Sequence, residues 1–328
     1  MDSVTRVRKA LHFQYPDRFP YDFDESKLPA DAGACGSDML WVSPAHKVTE
    51  DNVNEWGVKY EVIEGSHTFG EPKVFPLAGR DSLEGFRFPD FTEAWRYEAL
   101  ADAVKQNGGK KYVLGMLPNG IFHPMFDLLG FEDFCLQILL NEPLVDELCE
   151  KLTESAVSVC TEMARYGVDG IITIDDTALQ DRHIIGMGLF DKIFTPRFRR
   201  LYSHAHGLGM DTFIHTCGFT FGILDSLIEA GLDAANLDQQ HNMGMEKLAE
   251  RYKGKVCFYC PLDIQRTPGM SDGEIITEVR RMVEYFSSEA GGFIPKNYTM
   301  PLSVGMDDHY LEVMIGEFVR ISHGRSVI

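Results

Sequence analysis

Basic residues are scarce in this sequence of 328 residues. Lysine and arginine together number 31 against 50 aspartates and glutamates, which gives a formal net charge of −19 and a pI near 4.9. Binding to nucleic acid or to an anionic membrane needs a basic surface that attracts phosphate groups. The charge balance therefore argues against both kinds of partner, and it is compatible with a cationic or neutral small substrate.

Long apolar runs, a signal peptide and a disulfide framework are also missing. No run of about 18 apolar residues occurs, so no membrane span is expected. The first segment, MDSVTRVRKALHFQYPDRFP, lacks the apolar core of a signal peptide. The seven cysteines are an odd number in a long chain, unlike the dense, even set of a small secreted domain. These absences predict a cytoplasmic protein with free thiols.

From residue 92 onward, apolar runs and amphipathic helical patterns alternate. We predict strands within 111–117, 168–176, 209–217, 233–238, 255–263 and 291–297. Nearly continuous apolar strands separated by helices are typical of a parallel sheet covered by helices. An open doubly wound sheet usually carries a Gly-x-Gly-x-x-Gly loop after its first strand, and this sequence contains none.

These patterns predict an α/β fold, a (β/α)8 TIM barrel with an N-terminal extension, in a single domain over residues 1–328. The regular β/α repeats occupy 91–328, so two of the eight strands must lie nearer the N-terminus. Residues 25–90 are irregular and rich in Gly, Pro and Asp. We therefore expect 1–90 to form an extension with loops that cover the barrel mouth.

Polar side chains follow most of the predicted strands. In a barrel of this kind, polar residues at the carboxyl ends of the strands face the active site. One such residue alone is an ordinary loop residue, but a series of them indicates a site. The series consists of Asp22, Asp24, Asn119, Asp175, Asp176, His215, Cys217, Asp238, Gln239, Gln240, His241, Asp263, Lys296 and Asn297.

The pair His215 and Cys217 is the sharpest local feature. Side chains two residues apart on a strand point to the same face, so an imidazole and a thiolate can converge on one zinc ion. A core histidine beside a small buried cysteine is an equally good interpretation of the spacing alone. For a third ligand we predict Cys260, at the end of another strand, with His241 as the alternative.

Asp175 and Asp176 are predicted to be the catalytic residues. Adjacent residues on a strand face opposite ways, so one of the two carboxylates points into the mouth, where it can accept a proton or orient a ligand. The other is expected to be an ordinary loop-opening aspartate. Substrate-binding roles are predicted for four further residues near the mouth, which are Asn119, His183, His241 and Asp263.

Several segments in order along the chain resemble the uroporphyrinogen decarboxylase superfamily. They are PDRFPYDF, EWGVKYE, GVDGIITIDDTALQ, FTPRFRRLYSHAHGLGMDTFIHTCG, CPLDIQRTPG and GGFIPKNYTMP. The resemblance implies a (β/α) barrel. True decarboxylases of this superfamily carry an Arg-Gln-Ala-Gly-Arg segment that grips substrate carboxylates, whereas the comparable region here reads DAGACGSDMLWVSP. Weak or no binding of polycarboxylate tetrapyrroles is therefore expected.

The other branch of the superfamily consists of corrinoid-dependent methyltransferases, which bind zinc through a His-x-Cys pair and a later cysteine. His215 and Cys217 match the pair, but the sequence PKNYTMP has no cysteine at the later place. O-demethylase members have been linked to a Glu-x14-Glu-x20-His spacing, which Glu147, Glu162 and His183 fit. The two glutamates are predicted to lie on one helix, roughly 22 Å apart along its axis, too far to share an ion.

The resemblance implies methyl transfer between a small methylated compound, such as a phenyl methyl ether, and a corrinoid. The implied cofactors are zinc and a cobamide carried by a partner protein, and the implied partners are that corrinoid protein and a small methyl donor or acceptor. Two other functions remain open: a lyase acting on a smaller carboxylic acid, with Lys296 or Arg182 as its cationic clamp, and a non-catalytic barrel that binds a corrinoid protein.

Overall fold

The computed structural model describes residues 1–29, 36–47, 52–62 and 70–324. The helices are α1 Ser3–Leu11, α2 Glu98–Asn107, α3 Pro124–Leu129, α4 Phe131–Leu140, α5 Glu142–Arg165, α6 Met187–Ile193, α7 Thr195–Gly207, α8 Ile223–Ala230, α9 Met245–Tyr252, α10 Asp272–Phe286 and α11 Asp308–Ser322. The strands are β1 Met39–Val42, β2 Lys59–Glu61, β3 Glu71–Val74, β4 Tyr112–Met116, β5 Gly170–Ile174, β6 Asp211–Thr216, β7 Ala234–Leu237, β8 Cys257–Cys260 and β9 Phe293–Pro295.

Seven of these strands form one parallel sheet in the order β1-β4-β5-β6-β7-β8-β9. Every neighbouring pair in it is parallel; Ile174 of β5, for example, pairs with His215 of β6. The concave face of the sheet buries side chains from both of its ends, Met39 of β1 and Ile294 of β9, in one cluster. The predicted α/β fold with a curled parallel sheet is therefore confirmed.

A short N-terminal segment lies between the two edges of the sheet and forms backbone hydrogen bonds with both of them. Asp22 forms an isolated parallel bridge with Lys296, and its N–H donates to the carbonyl of Pro295 over 2.9 Å. On the other side, the N–H of Asp38 donates to the carbonyl of Tyr21 over 3.0 Å. At Asp22 and Asp24, two of the polar residues that the sequence placed at strand ends, the structure forms this single bridge and no strand.

The N-terminal region is more regular than the sequence suggested. Residues 25–90 were expected to be irregular, yet Met39–Val42 is a full member of the sheet and pairs with Tyr112–Gly115. Lys59–Glu61 and Glu71–Val74 form a separate antiparallel ribbon. The apolar patches in this Gly-rich and Pro-rich stretch are too short to show a period, so the sequence did not locate these strands. Three parts of the predicted extension, residues 30–35, 48–51 and 63–69, lie outside the described residues.

Two helices follow their sequence signals closely. α5 begins at Glu142, has Pro143 in its first turn and runs for 24 residues, and α10 begins with the capping box of Ser271 and Glu274. The first helix is capped by the side chain of Asp2, which accepts the backbone N–H of Thr5. In the described part of the chain, no helix combines the length and apolarity that crossing a membrane would require.

Strand alternation divides the core into two layers. In β8, Cys257 and Tyr259 belong to the cluster on the concave face, while Phe258 and Cys260 belong to the larger cluster under the helices. Val7, Ala10 and Leu11 of α1 join the inner cluster. The inward-facing side chains therefore fill the interior of the curled sheet. Any site at the carboxyl ends of the strands lies directly above these side chains.

Two histidine–aspartate pairs lie at the amino ends of the strands, away from the mouth. His12 Nε2 lies 2.7 Å from Asp211 Oδ1, and His206 Nε2 lies 2.7 Å from Asp233 Oδ2. The hydrogen bond to the carboxylate raises the pKa of each imidazole above its usual value.

These pairs predict a pH-dependent stability. A raised folded-state pKa means that the stabilisation is complete below the unfolded pKa of about 6.5 and is lost as the pH rises through the folded value. Each pair is partly exposed, so its contribution is expected to stay under about 1 kcal/mol. Urea unfolding at pH 6 and pH 8.5 should show this loss in the wild type and a smaller one in the His12→Gln/His206→Gln variant. Equal losses in both proteins would contradict the assignment.

Candidate active site

A cavity of about 670 Å³ opens at the carboxyl ends of the strands. Six of its lining residues each come two positions after a residue of the inner core cluster, on the same strand or directly after it. Residues two apart on a strand share a face, so these six side chains form the next layer above the inner core. These residues are Trp41, Met116, Ile174, His215, Asn236 and Lys296, which follow the core residues Met39, Leu114, Ile172, Phe213, Ala234 and Ile294. The remaining lining residues are Asp22, Phe23, Asp24, Asp176, Asp238, Asn297, Tyr298, Thr299 and Met300.

Three potential metal ligands converge beside this cavity. A ligand atom from each of Asp176, His215 and Cys217 lies within 4.8 Å of the other two. The His215 Nε2 atom is 3.8 Å from Asp176 Oδ1 and 3.7 Å from Cys217 Sγ. Ligands bonded to a tetrahedral zinc ion at about 2.0–2.3 Å lie about 3.3–3.8 Å from one another, so the observed spacing fits a metal.

Neighbouring polar groups orient His215. Its Nδ1 atom lies 3.1 Å from Asn236 Oδ1, and the Asn236 amide in turn donates to Asp238 Oδ1 over 2.6 Å. With the amide oriented in this way, its oxygen accepts from Nδ1–H, and the lone pair of the imidazole is left on Nε2. The ring therefore presents a ligand atom to Asp176 and Cys217, as imidazoles held by a second hydrogen bond do in metal sites.

The thiol of Cys217 lies in an unfavourable environment for a bare anion. Burial raises its pKa well above the usual value, and the nearby carboxylates of Asp176 and Asp238 raise it further. The chain turns away directly afterwards at Gly218, which has φ +84 and where a Cβ atom would lie 2.4 Å from the carbonyl oxygen of Leu179. A bound cation would reverse the electrostatic penalty on the thiolate.

The structure separates the two predicted catalytic aspartates. Asp176 faces the cavity, and its Oδ1 accepts the backbone N–H of Cys217 over 2.8 Å. Asp175 is fully buried and faces the other way, because adjacent strand residues alternate. Its Oδ1 accepts three backbone N–H groups, from Ile121, Phe122 and His123, over 2.8, 2.7 and 3.0 Å. Asp175 thus holds the loop after β4 and does not reach the cavity.

Two predicted substrate-binding residues, Asn119 and Asp263, instead form hydrogen bonds with backbone groups. The Asn119 amide donates to the carbonyls of Gly120 and Leu152 over 2.9 and 3.1 Å. Asp263 Oδ1 accepts the N–H groups of Gln265 and Arg266 over 2.9 and 3.0 Å. Neither residue lines the cavity, because side chains that open a loop commonly satisfy that loop's own backbone donors.

The two predicted substrate-binding histidines are also placed outside the cavity lining. His183 Nε2 lies 2.5 Å from the carbonyl oxygen of Phe221. His241 Nε2 lies 2.6 Å from Glu278 Oε1. Each imidazole already has a partner in a loop or helix outside the mouth, so neither points at the cluster around His215.

Cys260 is not positioned to be the third ligand. Its side chain is fully buried in the cluster under the helices, and its thiol lies 3.6 Å from the carbonyl oxygen of Ala235. The inward positions of β8 are those of Cys257 and Tyr259. Strand parity thus turns Cys260 away from the axis, and Asp176 takes the third place in the group.

The two glutamates of the Glu-x14-Glu-x20-His spacing do not form an ion site. Glu147 and Glu162 belong to one continuous helix, so they lie about 22 Å apart along its axis. Glu162 pairs with Arg165 over 2.8 Å. These observations agree with the expectation that the two glutamates cannot bind one ion together.

Sequence inspection missed several residues of the candidate site, among them Trp41, Asn236 and His123. Trp41 belongs to a strand that gave no periodic signal, and Asn236 lies inside a predicted strand rather than at its end. His123 Nδ1 lies 3.9 Å from Asp176 Oδ2, and it is buried without a hydrogen-bond partner among the described residues. Counting back two positions from Asp238 would have found Asn236, because the two share one face of the strand.

Comparison with known proteins identifies the family. The family model for uroporphyrinogen decarboxylase (URO-D) matches residues 55–321. The chain belongs to the uroporphyrinogen decarboxylase family. The family expected from the sequence is thereby confirmed. Among curated proteins, no sequence matches this URO-D family member.

One solved structure supports the fold of this URO-D family member. A methyltransferase from Methanosarcina mazei is 14% identical and has a TM-score of 0.73, with 98% of this chain and 99% of that chain covered. A D-psicose 3-epimerase is 12% identical with a TM-score of 0.43, and the match covers 69% of this chain and 84% of that chain. The first likeness extends over nearly the whole of both chains, so the two proteins share one overall fold.

Proposed function

We propose that the protein is a methyltransferase that moves a methyl group between a small methylated substrate, a phenyl methyl ether or a similar compound, and a corrinoid carried by a partner protein. The observation that carries this proposal is the convergence of Asp176, His215 and Cys217 beside a cavity at the carboxyl ends of the strands. Family membership and the fold shared with a methyltransferase support it.

The donor set of this cluster suits zinc, which accepts carboxylate, imidazole and thiolate ligands and keeps an open position in catalytic sites. His215 would bind through Nε2, Cys217 through Sγ and Asp176 through a carboxylate oxygen. When bound, zinc supplies Lewis-acid activation of the methylated heteroatom, or it keeps an acceptor thiol deprotonated at neutral pH. The raised pKa of Cys217 fits a thiol that becomes an anion only when a cation is beside it.

The chain's own residues would prepare the substrate for transfer. Asn236 fixes the ring of His215, and the backbone N–H of Cys217 fixes the carboxylate of Asp176. Apolar side chains of Met116, Ile174 and Met300 line the same cavity and would exclude water from the reacting bond. The methyl group would be transferred to the Co(I) corrinoid of the partner protein, which supplies the electron pair of the new bond, while the heteroatom keeps the electron pair of the broken bond and takes up a proton from solvent.

The corrinoid protein is proposed to approach the open end of the cavity. Asp22 and Trp41, which come from the N-terminal region, line that cavity, so the segments before α2 would shape the surface that the partner meets. We further propose that Tyr21–Phe23 serves as the eighth strand, since its backbone already bonds to both sheet edges. Such a partner would be met in the cytoplasm.

The test is methyl transfer to a free corrinoid. Purified protein, loaded with one equivalent of zinc, is mixed with Co(I) cobalamin and a panel of methoxylated aromatic compounds, and the methylated cobalt product is followed by its absorbance. We expect turnover that disappears on chelation and returns with added zinc. Metal-free protein that releases carbon dioxide from a small acid would contradict the proposal in favour of a lyase, and protein inert in both assays would contradict it in favour of a binding role.

A further inference from the structure

Lys296 is a buried ammonium group in the wall of the cavity. It directly follows β9 and is only 4% exposed, yet it belongs to the cavity lining. It is the only lysine or arginine among the described lining residues. A lysine in such a place carries a large desolvation cost unless a partner balances its charge.

The contacts of Lys296 leave its charge without a direct ion pair. Its Nζ atom donates to Asn236 Oδ1 over 3.2 Å and lies 5.2 Å from the ring centroid of Trp41 and 5.1 Å from that of Tyr259. Within the described part of the chain, no carboxylate oxygen lies within 4.0 Å of it. An ammonium group has three donors, so two of them have no hydrogen-bond acceptor among these contacts.

The nearby carboxylates are engaged elsewhere. Asp22 Oδ2 accepts the indole N–H of Trp41 over 2.7 Å and also the hydroxyl of Tyr259. Asp238 Oδ1 accepts the amide of Asn236 over 2.6 Å. The two rings beside Lys296 therefore direct their polar ends to Asp22, and the faces of these rings contact the ammonium group as cation–π partners.

We propose that Lys296 binds the single oxyanion of a substrate that is a small organic monoanion. This inference rests on the proposed function and deepens it by naming the charge of the substrate. Lys296 and His215 both contact Asn236 Oδ1, so the ammonium group lies at most two hydrogen-bond lengths from the imidazole. One molecule therefore reaches both places, with its methylated heteroatom at the cluster and its oxyanion at Lys296.

The other lining charges define how many negative groups the cavity accepts. Asp22, Asp24, Asp176 and Asp238 are all part of the lining, so a second anionic group would meet carboxylates in a concave site of low dielectric constant. A monoanion has one favourable orientation, while a dianion has none. This charge pattern makes Lys296 a specificity-determining residue, which selects substrates with one negative group over substrates with none or two.

The test is direct binding measured by calorimetry without any corrinoid, using 3-methoxybenzoate, uncharged 3-methoxybenzamide and the dianion 4-methoxyphthalate. We expect the wild-type protein to bind the benzoate at least ten-fold more tightly than either of the others. In Lys296→Met, which keeps most of the length of the side chain and removes its charge, the benzoate and the benzamide should bind within two-fold of each other. The matched control is Lys255→Met, an exposed lysine just before β8, which should keep the preference.

The outcomes separate this inference from the proposed function. A preference that survives in Lys296→Met would overturn the inference, because the anion would then bind elsewhere. Equal affinity of the wild type for benzoate and benzamide would overturn it too, and that comparison needs no variant. A preference lost only in Lys296→Met, combined with absent methyl transfer, would sustain the inference while contradicting the proposed function.

Discussion

Replacing Cys217 by serine is expected to remove zinc and methyl transfer together. The thiolate is one of three potential metal ligands that converge in the described part of the chain, and a serine hydroxyl is a poor substitute because it keeps its proton at neutral pH. Two ligands seldom hold zinc at a catalytic site. Metal content measured by mass spectrometry of the native protein should fall from one equivalent to below about one tenth, and turnover should fall about 100-fold or more.

The matched control is Cys135→Ser. Cys135 lies on α4, is half-buried like Cys217 and has no place in the cavity lining. This variant should keep both its zinc and its activity. If Cys217→Ser retains stoichiometric zinc or most of its turnover, then the cluster is not the metal site, and His215 with Cys217 is a metal-free polar pair.

Replacing Asp175 by alanine is expected to cost about 3–5 kcal/mol in the free energy of unfolding. The change would leave the backbone N–H groups of Ile121, Phe122 and His123 without their acceptor. Each buried donor that loses its partner costs about 1–3 kcal/mol. Urea unfolding followed by circular dichroism measures the loss directly.

The neighbouring residue provides the control for this stability prediction. Asp176→Ala removes the acceptor of a single backbone N–H, that of Cys217, from a side chain that faces the cavity. We expect it to cost about 1 kcal/mol and to abolish zinc binding instead. The reverse pattern, with Asp176 more important for stability than Asp175, would show that the two roles have been exchanged.

The sequence predicted the alternation of strands and helices because each element repeats its apolar residues with its own period. All six strands predicted after residue 92 are present in the sheet. The same method failed at Met39–Val42, a four-residue strand in a stretch without periodicity. A strand of that length is defined by its pairing with β4 rather than by any local preference of its residues.

For the candidate site, the sequence predicted that polar side chains gather at the carboxyl ends of the strands and that His215 and Cys217 lie close together, since residues two apart on a strand share a face whatever the fold. It could not choose between Asp175 and Asp176, nor reject Cys260. In each strand, the inward face is determined by which side of the sheet curls around the core, and that is a property of the whole sheet.

The sequence by itself thus determined the family, the order of the elements and the end of the strands where polar residues gather. Only the tertiary structure decided which side chains meet. Asp176 joins His215 and Cys217 because β5 and β6 are neighbours in register, and Lys296 reaches Asn236 across 60 residues of chain. Such contacts depend on register and curvature, which arise from packing between distant segments and have no signature in any one of them.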